Sequence, residues 1–457
     1  MRLPQRQASG VVKGATGGLP LTVIGIGYLG LTHAVCMADL GHDVLALDVD
    51  ENRVANVARG EVPFFEPSLQ ALLRKNLEAG RLRLTSSFAE LGAFGAVHFL
   101  CVGTPQAAEG RADLQYVRTA VDALAPHLSG PCLVVGKSTV PVGTARAMRN
   151  RIQAAAPAGD LADLAWNPEF LREGHAVQDT LRPDRLVFGV ASEHAGELLR
   201  QVYAEPLAAR VPCLVMDLET AELVKVAANA FLATKISFIN AMADACQAAG
   251  ADVIELADAL GHDERIGRRC LTPGLGFGGG CLPKDVRAFR ATALDLGVTS
   301  MARLLSEVDA INESRRTLVA TMASEAAGGS LAGTRVTVLG AAFKPNSDDI
   351  RDSPSLDVCE RLAREGAVVT VHDPAALANA ARVKPHLRYA ASVSEAASGA
   401  ELVLHLTEWP DYQALDPQAL AAVVARPVLI DARCTLDTQL WRAAGWSVRV
   451  PGRAIRD

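Results

Sequence analysis

The sequence predicts an α/β protein with two Rossmann-like doubly wound domains, joined by a central helical domain that holds one long helix. Three stretches predict it. A strand, a glycine-rich turn, a helix and a second strand ending in an acid follow one another from Leu21 to Asp48; residues 217–249 contain neither glycine nor proline; and a strand, a helix and an acid-terminated strand recur from Thr334 to Asp373. Strands that alternate with helices indicate a sheet covered on both faces.

In chain order, Leu21-Thr22-Val23-Ile24 reads as a buried parallel strand. Gly25-Ile26-Gly27-Tyr28-Leu29-Gly30 follows, then an apolar helical segment to Leu40 with Gly41 as its stop. The next strand, Val44-Leu45-Ala46-Leu47, ends in Asp48, 23 residues after Gly25. This is a G-x-G-x-x-G in the context that gives it meaning: glycines admit a pyrophosphate to the backbone, and the acid bonds ribose hydroxyls, favouring NAD over NADP. Further strands at 97–102 and 132–135 end in the loops Gly103-Thr104-Pro105 and Lys137 to Thr144, which would border the cofactor. A later loop, Asn167-Pro168-Glu169-Phe170-Leu171-Arg172-Glu173, carries two carboxylates four residues apart.

The glycine-free stretch from Asp217 to Ala249, stopped by Gly250, reads as one helix of about 50 Å that spans between domains or forms a subunit interface. Lys225 and Asn229 share one face of it, Lys225 either as a functional charge or as a snorkelling surface residue. In the second half, Arg335 to Gly340 and Val368 to Asp373 repeat the strand, turn and acid, but the later glycines of the motif are missing after Gly340, so a different nucleotide-bearing ligand is expected there. Phe343, Lys344 and Arg351 lie in the intervening loop.

Gly274-Leu275-Gly276-Phe277-Gly278-Gly279-Gly280-Cys281-Leu282-Pro283-Lys284-Asp285 sets one cysteine between a glycine cluster and a Lys-Asp pair. The surroundings suit a thiolate nucleophile, and equally a glycine-rich surface loop with an incidental cysteine. The remaining eight of the nine cysteines show no C-x-x-C spacing, and the ten histidines no ligand spacing, so no metal site is expected. The net charge of −6 argues against a nucleic-acid surface, and no run reaches the roughly 18 uninterrupted apolar residues of a membrane span. Residues 1–19 contain Arg2, Arg6 and Lys13 but no acid and no apolar signal core; they read as a disordered tail, and a cytoplasmic location is expected. The domains are placed at 20–212 (dinucleotide-binding), 213–315 (helical) and 316–457 (Rossmann-like).

From Leu21 nearly to its end the chain resembles the UDP-glucose 6-dehydrogenase family of nucleotide-sugar dehydrogenases. The resemblance is carried by Gly25 to Gly30, Val102-Gly103-Thr104-Pro105, Lys137-Ser138-Thr139-Val140-Pro141, Asn167 to Leu171, Lys225 with Asn229, Phe277-Gly278-Gly279 with Cys281 to Asp285, and Asp431-Ala432-Arg433. It implies a double oxidation of a sugar C6 alcohol to a carboxylate, with two NAD and one water consumed by a homodimer built through the central domain. By resemblance, Cys281 is the nucleophile, Lys225 and Asn229 stabilise oxyanions, Asp285 and Thr139 position water, and Glu169 is the base of hydrolysis. Implied NAD contacts are Gly25, Gly27, Tyr28, Leu29, Gly30, Asp48, Arg53, Gly103, Thr104, Pro105, Ser138, Thr139, Glu173, Lys284 and Arg351. Implied UDP-sugar contacts are Glu169, Phe170, Leu171, Lys225, Asn229, Phe277, Gly278, Gly279, Phe343, Lys344, Arg433 and, from a neighbouring subunit, Arg265. Three positions depart from the family pattern: Gly280 where serine is usual, loosening the loop; Ala241 where an acid is usual; and His175 where a small hydroxyl residue is common. The resemblance points to UDP-glucose first and GDP-mannose second.

Overall fold

The computed structural model describes residues 18–453, so the expected tail at 1–19 lies outside the described residues save for Gly18 and Leu19. The described chain forms two compact units, one ending at Val226 and the other running from Ala227, with residues 109–111 assigned to the second.

The first unit is built on an eight-stranded sheet of β1 (Pro20–Ile24), β2 (Asp43–Leu47), β3 (Leu82–Thr85), β4 (Val97–Leu100), β5 (Cys132–Gly136), β6 (Ala162–Trp166), β7 (Leu186–Val190) and β8 (Cys213–Met216). Its order is β3-β2-β1-β4-β5-β6-β7-β8, parallel except for the antiparallel β6–β7 pair. The apolar runs read as buried strands are buried because both faces are covered. Val23, Phe99 and Val135 pack into one core and their neighbours Ile24, Leu100 and Val134 into another, as the two-residue period of a strand requires. β8 pairs with β7 from Cys213 to Met216, so the sheet continues past residue 212. The chain reverses between β1 and β4, where ligands of such sheets bind. The helix Tyr28–Asp39 starts at that edge and ends on Gly41, whose φ of +93° suits a left-handed stop that other residues adopt with strain.

The long helix spans Leu218–Ala249, and Asp217 caps it by accepting from the Thr220 amide (2.7 Å). By length and composition it could cross a membrane, a possibility the search for an uninterrupted apolar run missed, because small and polar residues interrupt the run without lowering its average much. Its Ser237 donates to the Val308 carbonyl at 2.8 Å.

The second unit contains the helices Val253–Gly261, Leu282–Asp295 and Thr299–Ala326 and a six-stranded parallel sheet. Its strands are β9 (Arg335–Leu339), β10 (Val368–His372), β11 (Arg388–Tyr389), β12 (Leu402–His405), β13 (Val428–Asp431) and β14 (Ser447–Arg449), in the order β11-β10-β9-β12-β13-β14. This repeats the order of the first six strands of the other sheet. Helix Thr299–Ala326 runs through residue 315 without a break. Leu305 and Val308 pack with Ala230, Ala233 and Phe277, whereas Val319 and Ala323 belong to the core of the second sheet.

Candidate active site

The turn after β1 has the shape a dinucleotide needs. A Cβ on Gly30 would sit 1.7 Å from the Gly25 carbonyl oxygen, so the helix can pack onto the turn only with glycine there, while the space around Gly27 is open. Asp48, 6% exposed, accepts from the Ile26 amide and Arg53 (3.0 Å each) on one oxygen and from the Asp50 amide (3.0 Å) on the other. Arg53, expected at the cofactor, thus flanks the acid. The loops after β4 and β5 are joined: Thr104 donates to the Thr139 carbonyl at 2.8 Å and Ser138 to the Val102 carbonyl at 2.6 Å.

The loop after β6 carries Glu169 to Lys225. Their ion pair is 3.0 Å long and largely buried, the second Glu169 oxygen accepts from the Leu171 amide at 2.9 Å, and the Lys225 ammonium lies 5.6 Å from the Phe170 ring centre. Lys225 is therefore no snorkelling surface residue. A groove bordered by Leu29, Lys137, Glu169, Phe170, Arg185 and Tyr203 runs beside this loop. At its floor the buried Lys137 ammonium donates to Asn167 Oδ1 (3.0 Å) and to Tyr203 (3.3 Å), and burial lowers its pKa to about 8.

Two acids that the sequence reading did not single out organise these loops. Glu66 accepts from the amides of Gly174 and Ala176 (2.7 Å each) and from the Tyr28 hydroxyl, tying the buried Glu173 turn to the dinucleotide turn. Glu222 accepts from the amides of Gly143 and Ala145. Neither has a local sequence signal, since the amide donors are 77 to 110 residues away in the chain.

In the second unit, the glycine loop lies against the loop that follows β9. A Cβ on Gly278 would stand 2.4 Å from the Asp352 carbonyl oxygen and one on Gly279, 2.7 Å from the Phe343 ring. Asn312 holds Phe277 by both its amide (2.8 Å) and its carbonyl (3.0 Å). Gly280 lies against the Arg351 guanidinium, 2.3 Å from where a Cβ would stand. Cys281 follows as the N-cap of helix Leu282–Asp295, where the helix dipole favours a thiolate, and it is the exposed cysteine among nine. Burial pushes Cys101 up to about 12 and Cys132 to about 11, and raises Cys36, Cys359 and Cys434 further.

Asp285, one turn into that helix and 2% exposed, accepts from Asn229 (2.6 Å) and Lys284 (2.6 Å). Lys284, expected at the cofactor, thus bears on the carboxylate beside the cysteine. Arg433, expected at the sugar nucleotide, donates to the carbonyls of Leu406 (2.6 Å), Gly276 (3.0 Å) and Phe343 (3.3 Å), clamping the glycine loop to the second fold. Lys344 lies 5.4 Å from the Phe343 ring centre. Arg265 is solvent-facing and pairs with Asp263 at 2.6 Å. Among the described residues no cluster could hold a metal ion.

The chain is similar to known proteins over nearly its whole length. The chain matches the UDP-glucose/GDP-mannose dehydrogenase family models in three consecutive parts: the NAD binding domain over residues 20–207, the central domain over 219–314 and the UDP binding domain over 337–438. It is 41% identical over 418 residues to the UDP-glucose 6-dehydrogenase of Rhizobium meliloti, covering 91% of this chain and 95% of the relative. It is 42% identical to that of Pseudomonas aeruginosa, covering 90% and 93%. A UDP-glucose dehydrogenase structure from the hyperthermophilic archaeon Pyrobaculum islandicum superposes with a TM-score of 0.86 at 38% identity, covering 96% of this chain and all of that one. A dinucleotide turn, a buried lysine–glutamate pair and an exposed cysteine capping a helix are thus found in a chain that belongs to the UDP-glucose/GDP-mannose dehydrogenase family.

Proposed function

We propose that the protein oxidises the C6 alcohol of UDP-glucose to the carboxylate of UDP-glucuronate, consuming two NAD and one water and releasing two NADH. The observation that carries the reading is Cys281, the one exposed cysteine, at a helix N-terminus one turn before the buried Asp285. Bound NAD, held by the Gly25–Gly30 turn and Asp48, would supply a two-electron acceptor. Cys281 Sγ adds to the aldehyde carbon formed by the first oxidation, giving a thiohemiacetal, and after the second oxidation it carries a thioester. The Lys225 ammonium and the Asn229 amide stabilise the negative oxygen at C6 in each addition. Glu169 takes a proton from the attacking water, positioned by Thr139 and Asp285; the carbon–sulfur bond breaks, and the thiolate leaves as the uronate forms. The bonds of Asp285 to Asn229 and Lys284, one turn after the cysteine, support this role.

We read residues 20–212, 213–315 and 316–457 as cofactor, helical and UDP-sugar portions, acting in the cytoplasm as a homodimer. Phe231 and Phe238, seven residues apart on the long helix and 65% and 50% exposed, support a second copy as its cover. Arg265, facing solvent, is available to the sugar nucleotide of that copy. The deciding measurement is stoichiometry with UDP-glucose, GDP-mannose and UDP-N-acetyl sugars: two NADH per uronate, with UDP-glucose preferred and no free aldehyde. A ratio of one would falsify the double oxidation.

A further inference from the structure

Arg287 stands less than two turns after Cys281 on helix Leu282–Asp295 and divides its guanidinium among three carboxylates. Nε donates to Asp309 (3.1 Å), Nη2 to Glu313 (3.3 Å) and Nη1 to Asp352 (3.1 Å). Asp309 and Glu313, one turn apart on helix Thr299–Ala326, hold the arginine while its remaining arm holds Asp352. The buried Arg316 of that helix lies 3.6 Å from the other Asp352 oxygen. Asp352 has a φ of +48°, a left-handed conformation that a residue with a side chain adopts at a steric cost. Its turn delivers two carbonyls to the glycine loop: the Arg351 oxygen accepts from the Gly279 amide at 2.9 Å, and the Asp352 oxygen occupies the space a Gly278 Cβ would need. The Cys281 carbonyl in turn accepts from the Asp285 amide at 2.9 Å, which ties the cysteine to the helix. From Gly279 along the chain to Arg287, across the ion pair to Asp352 and back through the Arg351 carbonyl, these contacts close a ring that contains Cys281.

We propose that Arg287 is a positioning residue for Cys281: by holding Asp352 it fixes the turn to which the Gly279 amide is bonded, and so sets the backbone that carries the sulfur. The inference rests on reading Cys281 as the nucleophile. Attack on a bound aldehyde requires alignment and is sensitive to displacements of about 1 Å. The intrinsic reactivity of the sulfur, set by its exposure and by the helix N-terminus, does not pass through Arg287. Alignment and reactivity therefore separate in a variant that breaks the ring.

The test compares Arg287→Met, Asp352→Ala and the double variant in the full chain by three measurements: amide exchange of residues 278–281 without ligands, alkylation of Cys281 by iodoacetamide, and steady-state kinetics with UDP-glucose and NAD. Each single variant should speed exchange of that segment about tenfold and lower kcat about tenfold. The alkylation rate and the KM for NAD should stay within about twofold of native. The double variant should be no worse than Arg287→Met alone, because the same link is already broken. Asp352→Gly, which adopts the left-handed turn without a side chain, should lose less than Asp352→Ala. Additive losses in the double variant overturn the proposal, as does unchanged exchange in Asp352→Ala, even if Arg287→Met fails to fold. Faster exchange with unchanged kcat overturns the positioning role. A native protein that forms no NADH from UDP-glucose overturns instead the function on which that role rests, and exchange still decides whether Arg287 sets the Cys281 segment.

Discussion

At the end of β2, Asp48 accepts three hydrogen bonds, from two backbone amides and Arg53; at the end of β10, Asp373 accepts five, from the amides of Ala341, Ala342, Ala375 and Ala376 and from Trp409. A carboxylate offers about four lone-pair positions, so Asp48 keeps capacity for a ligand hydroxyl and Asp373 keeps none. The turns before them differ in the same sense. The space at Gly27 is open, whereas Ala341 and Ala342 are fully buried and a Cβ on Gly340 would strike the Thr407 hydroxyl at 2.3 Å. One topology thus serves as a binding edge in the first sheet and as a closed junction in the second. What separates them is how many donors the turn itself delivers to the acid.

The largest expected effect tests whether the chemistry belongs to the glycine loop packed on the second fold. Cys281→Ser should lower uronate formation by roughly a thousandfold or more while leaving NAD affinity unchanged, because an alcohol is a poor nucleophile at neutral pH. Glu169→Gln should retain the first oxidations and accumulate a Cys281 adduct visible by intact-protein mass spectrometry; an adduct on any other cysteine breaks the assignment. Next comes the pair of acids. Asp373→Ala strands buried donors and should cost about 4 kcal/mol in urea unfolding. Asp48→Ala should cost about 1 kcal/mol but reduce the preference for NAD over NADP about tenfold in kcat/KM. Equal destabilisation by the two would dissolve the contrast.

A further effect is one of pH. The unfolded chain holds the Lys137 proton to about pH 10.5 and the folded chain only to about 8, so the folded state binds fewer protons between those values and Lys137 contributes stability that rises with pH there. Above pH 10.5 neither state carries the charge; below 8 both do, and the burial cost, on the order of 3 kcal/mol, is present in full. Lys137→Met should flatten that part of the stability curve, measured by denaturant titration at pH 8 and 10.

The dinucleotide turn could be read from the sequence because its geometry is local: three glycines, a helix start and an acid at fixed spacing impose their own backbone. Asp373 likewise ends the strand that follows a glycine turn and a helix, and only its surroundings show that it is saturated. Glu66 and Glu222 were invisible for the complementary reason, since each acts on backbone amides, which carry no residue identity, far along the chain. Arg433 stands in a readable motif, yet three carbonyls from three separate segments occupy its guanidinium, a partnership that chain order does not encode.

The contrast between one solvent-facing sulfur and eight more sheltered ones also makes the molecule its own reagent counter. A charged, bulky electrophile applied briefly near neutral pH selects for access and for thiolate character, and four of the other thiols are both buried and held well above their ordinary ionisation range. Label bound per chain then reports the number of competent centres in a preparation, independent of turnover. Protection of that label by a bound nucleotide sugar becomes a binding assay that needs no oxidation at all.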